Sequence, residues 1–60
     1  MLLRKGSLVG YSRNPNVIGL VLEVMHHMSY SEYLVHWNII DNFIGERVCW
    51  CSPKILYVLG

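Results

Sequence analysis

Sixty residues make one domain, and a chain this short buries only about 60% of the surface its unfolded form exposes, so it folds marginally without a disulfide, a metal or a partner subunit. Apolar residues make up 53% and charged residues 15%, more apolar surface than so small an interior can hide. The +1 formal charge and the scattered bases Arg4, Lys5, Arg13, Arg47 and Lys54 argue against binding to a phosphate backbone.

In chain order, Lys5 to Tyr11 reads as a first strand entered through a glycine turn. Ser12 to Asn16 reads as a loop, because Pro15 pushes Asn14 out of the helical region and Asn tolerates turn geometry. Ile18 to Met25 is the second strand, in which Gly19 predicts a bulge or the close approach of another backbone. His26 to Ser31 is a hairpin connection. Ser29 and Glu32 have capping-box spacing, but the β-branched and aromatic run Tyr33-Leu34-Val35-His36-Trp37 favours a third strand, with Tyr33, Val35 and Trp37 on one face. Asn38 to Gly45 carries Ile39, Ile40, Phe43 and Ile44, spaced to share one side of a helical turn. Glu46 to Cys51 is a fourth strand whose inward face is open between Val48/Trp50 and Cys49/Cys51. Ser52-Pro53 marks a tight turn, and Ile55 to Leu59 a short fifth strand. Five short strands predict a small barrel, since closure removes exposed edges.

The motifs match a glycine-led first strand (Lys5-Gly6-Ser7-Leu8-Val9 with Tyr11), a G-x-V second strand (Ile18 to Glu23) and a V-x-W third (Tyr33 to Trp37). The fourth strand ends in Trp50-Cys51-Ser52-Pro53, followed by Leu56 and Val58. This order resembles the SH3-like small barrels, and more narrowly the short SH3-like proteins of marine bacteriophages. The resemblance implies an all-β, five-stranded SH3-like barrel over residues 1–60, with a short 3-10 turn before the last strand. It departs from the family in the apolar Ile39 to Ile44 connection, and a fold of this breadth does not fix a function.

Several residues bear chemistry. Cys49 and Cys51 lie on one face of a strand and would supply half a zinc site with His26, His27 or His36, but C-x-C is shorter than the usual zinc spacing. They are expected to be thiols rather than a bridge, and no metal or cofactor is expected. Met25-His26-His27-Met28 has ligands suited to cuprous ion but falls in a hairpin loop. Tyr11, Tyr30 and Trp50 are the aromatics placed to contact a peptide or single-stranded nucleic acid, with Glu32, Asp41 and Glu46 the few acids to attract a cationic peptide. No carboxylate pair has catalytic spacing, so no enzyme is expected.

These features predict a non-enzymatic interaction protein that self-associates through Ile39, Ile40, Phe43 and Ile44, or alternatively a module reading a ligand through surface aromatics. No run is long and apolar enough for a membrane helix. Met1-Leu2-Leu3 before Arg4-Lys5 lacks a signal-peptide layout, so the cytoplasm is expected, that of the host if the chain is phage-encoded.

Overall fold

The computed structural model describes residues 3–40, 42 and 44–60. It is all-β: β1 (Leu8–Tyr11), β2 (Asn14–His26), β3 (Ser31–Trp37), β4 (Val48–Cys51), a 3-10 turn (Pro53–Ile55) and β5 (Leu56–Val58). The strands form one open antiparallel sheet in the order β4-β3-β2-β1-β5. Closure, expected from the sequence, is not reached, and no ladder joins β4 to β5. The turn after β4 carries the chain across the end of the sheet rather than alongside β4, and β5 then pairs with β1.

That crossing dictates the shape. Only five residue steps separate Cys51, on one edge strand, from Leu56, on the other. With three residues rising at the 3-10 value they span about 13 Å. A flat five-stranded sheet is about 19 Å wide. The sheet must therefore curl, and the molecule measures 30 × 22 × 17 Å.

The core fills the concave side. Val9, Tyr11, Val17, Val21, Tyr33, Val35, Trp37 and Cys51 are buried, and Ile44, Val24 and Leu56 are among the half-buried residues packed on them. Tyr33, Val35 and Trp37 share the inward face, as their alternation predicts. Tyr11 meets Trp37 edge to face at 5.8 Å. At Gly19 the close approach is by side chains: a Cβ there would overlap Val35 Cγ1 and Trp37 Cε3.

The bulge lies three residues further on. Val21 pairs with Val35 and Glu23 with Leu34, leaving Leu22 as the extra residue. In an unbroken alternation from Val21, Glu23 would face the core and Val24 the solvent. The extra residue reverses this, and Val24 packs on the core.

Other boundaries differ from the sequence reading. β2 starts at Asn14, inside the expected loop, although the Asn16 N–H donates to Asn14 Oδ1 at 3.1 Å and keeps a local turn there. The expected strands at Glu46 to Cys51 and Ile55 to Leu59 shorten to β4 and β5. Among the described residues of 38–47 there are turns and bends but no helical turn.

Candidate functional site

The convex face of the sheet concentrates side chains that the fold leaves uncovered. Cross-strand partners share a face, so the registers Leu8–Leu20, Leu20–His36 and His36–Val48 align one row across β1, β2, β3 and β4. Ile18 and Trp50 flank this row, and Leu8, Ile18, Leu20, Val48 and Trp50 are all exposed. A shallow hollow of about 280 Å³ lies among Leu8, Ile18, Gly19, Leu20, His36 and Asn38. Asn38 fixes its rim, accepting from the Ile18 N–H through Oδ1 at 2.9 Å and donating its own N–H to the Ile18 carbonyl at 2.8 Å. At the opposite edge Tyr57 lies over Gly10, where a Cβ would overlap its ring.

Sequence reasoning passed over this face, although a signal existed. Val17-Ile18-Gly19-Leu20-Val21-Leu22 is apolar at successive positions, the mark of a strand covered on both sides. Here Val17 and Val21 are covered by the core, while Ile18 and Leu20 are not. Among the described residues, thirteen large apolar side chains are exposed and eight apolar residues are buried.

The residues expected to carry function are dispersed. Tyr11 is 3% exposed beneath Trp37 and offers no ring face to a ligand. Tyr30, 56% exposed, stands at the β2–β3 hairpin and stacks on His27 at 4.3 Å. Trp50 lies on the convex face. Of the expected interface, Ile39 and Ile40 are exposed beyond the end of β3, whereas Ile44 packs against the core and so does not share a face with them. Phe43 and Asp41 lie outside the described residues.

A second hollow, of about 400 Å³, is lined by Tyr30, Ser31, Glu32, Ser52, Pro53 and Lys54. Its hairpin wall is pinned by His27 Nε2 to Glu32 Oε1 at 2.9 Å and His26 Nδ1 to Ser31 Oγ at 3.0 Å. The His27–Glu32 contact is half-exposed and serves to order the hairpin.

The cysteine pair settles the face of β4. Cys51 is buried and Cys49 half-buried on the concave side, with Sγ atoms 3.5 Å apart and both thiols free. Burial, then the adjacent Cys49, pushes the Cys51 thiol up to about 12, and the Trp37 indole only partly opposes this. Trp37 Nε1 is buried without a hydrogen-bond partner of good geometry, so its N–H contact with the sulfur is weak. A thiol held protonated at neutral pH is a poor nucleophile. His36 faces the convex side, away from both cysteines, so no Cys/His pair assembles. Among the described residues no group of three or more His, Cys, Asp and Glu side chains is arranged to hold a metal, and no helix is long and apolar enough to cross a membrane. Comparison with protein-family models, curated proteins and solved structures finds no match.

Proposed function

We propose that this chain is a non-enzymatic interaction protein that works through protein–protein contact, including self-association, and that the convex face of its sheet is the contact surface. The observation that carries this reading is β2, which is apolar on both sides and covered on one. The face holds no Lys or Arg along the Leu8–Leu20–His36–Val48 row, so two copies can approach without a central like-charge clash. Ile39 and Ile40 extend the surface past the end of β3. The strand order and the 3-10 turn between β4 and β5 support an SH3-like architecture, with the sheet curled but open. The likeness to phage proteins, and with it the host cytoplasm as working compartment, rests on the sequence motifs.

Sedimentation from micromolar to millimolar concentration tests the reading. Self-association of the native chain should weaken at least tenfold in Leu20→Lys, with the circular dichroism unchanged. A native chain that stays monomeric throughout overturns it.

The second hollow favours an alternative, a module that reads a peptide. Tyr30 and Pro53 offer apolar contact there, with Glu32 and Lys54 as opposite charges at its rim. Trp50, two residues before Ser52 on the same side of the chain, would report occupancy by a fluorescence shift. No response across a panel of acidic, basic and proline-rich peptides would remove this alternative.

A further inference from the structure

The β4 edge carries an inference beyond the convex face. The Trp37 N–H donates to the Arg47 carbonyl at 2.7 Å, and the β3–β4 register then pairs Val35 with Cys49 and Tyr33 with Cys51. In an antiparallel ladder the hydrogen-bonding residues alternate. The main-chain groups of Arg47, Cys49 and Cys51 therefore point to β3, and those of Val48 and Trp50 point outward. Among the described residues no strand pairs with that side.

Edge strands are normally blunted by Lys, Pro, a bulge or an inward charge. Val48-Cys49-Trp50-Cys51 has none of these. The other edge strand, β5, is only three residues long.

We propose that two copies of this chain join by antiparallel pairing of β4 with β4 about a two-fold axis at Cys49. The occupant is a second copy because the strand is self-complementary in that register. Val48 lies opposite Trp50, each such pair exchanging both N–H···O bonds, and Cys49 lies opposite Cys49. Arg47 faces Cys51 and Glu46 faces Ser52, so no like charges meet. Moving the axis to Trp50 brings Ser52 into the ladder, but its carbonyl already accepts from the Ile55 N–H at 3.2 Å. Moving it to Val48 sets Glu46 against Trp50. The Cys49 register places both outward-facing residues of β4, Val48 and Trp50, in hydrogen-bonding pairs with each other. It also brings the exposed Val48 and Trp50 side chains of the two copies together.

The register has a chemical signature. Cys49 falls at a non-hydrogen-bonded pair, where Cα atoms sit about 4.5 Å apart, within disulfide range. In Cys51→Ala, which removes the competing neighbour thiol, diamide should link two chains through Cys49. Each link forms one S–S bond as the two thiols give two electrons and two protons to the diazene, leaving a hydrazine. The covalent dimer should form in high yield in Cys51→Ala and in the Leu20→Lys, Cys51→Ala double variant. It should be absent from Cys49→Ser and fall at least tenfold in Val48→Pro, Cys51→Ala, because that proline removes an outward N–H and leaves the β3 ladder intact.

Failure of Cys51→Ala to cross-link overturns the proposal, as does a yield that Val48→Pro leaves unchanged. A second measurement needs no cysteine variant: sedimentation of reduced Val48→Pro should show weaker association than the native chain, and an equal association constant overturns the pairing. Leu20→Lys tests the convex face and Val48→Pro the edge, so either contact can fail without the other.

Discussion

Trp37 is the residue around which the concave side is assembled. Its ring needs the missing side chain of Gly19 beneath it and the edge of Tyr11 beside it. Its indole N–H reaches only toward a sulfur. Cys51 pairs with that ring as a protonated thiol, which gives a pH dependence with a definite sign. Its folded pKa, about 12, lies above the ordinary thiol value of 9.0. The folded state therefore holds this proton more tightly than the unfolded chain. The contribution is fully present below pH 9 and is lost as pH rises from about 9 toward 12. Urea titrations of the native chain and Cys51→Ala at successive pH values should show the native chain losing more stability over that window. Parallel curves would contradict a buried, raised thiol. Tyr11 shows why such residues are hard to place from sequence. Its position beside a loop suggests a surface aromatic, but strand alternation from Val9 carries it inward.

At the scale of elements, β3 was the most legible, because its β-branched and aromatic run favours a strand and its bulkiest residues, Tyr33, Val35 and Trp37, fall at every second position. β4 was not, because Val48, Cys49, Trp50 and Cys51 are apolar on both faces and only packing against Trp37 chooses between them. The bulge at Leu22 left no local signal, since it answers a tertiary demand that Glu23 stay outside and Val24 come in. The convex row was legible only as an excess of apolar residues. Seeing it as a surface required the registers that align Leu8, Leu20, His36 and Val48. The connection between the two edges is a single 3-10 turn capped by Ser52, whose Oγ accepts from the Lys54 N–H at 3.3 Å. Ser52→Ala should cost about 0.5–1 kcal/mol, the usual value for a lost cap. The loss should appear first as faster amide exchange in β5, whose only strand partner among the described residues is β1. Exchange that rises uniformly, or not at all, would show that the cap does not hold this crossing.

At the scale of the whole molecule, the balance between covered and uncovered apolar surface decides the reading. The proposed pairing at the β4 edge would be a second contact with different chemistry, main chain rather than side chain. Two isologous contacts on one chain close into a tetramer when their axes meet at right angles and extend into a filament when the axes do not meet. Either assembly would add stability to a 60-residue chain, whose core is small for its surface. The most direct test of the central claim is the sedimentation mass of the native chain beside that of Leu20→Lys, at equal concentration and under reducing conditions. The convex face as a contact surface predicts a native assembly whose mass falls in the variant while its fold is retained. A native monomer, or a mass that Leu20→Lys leaves unchanged, would contradict it.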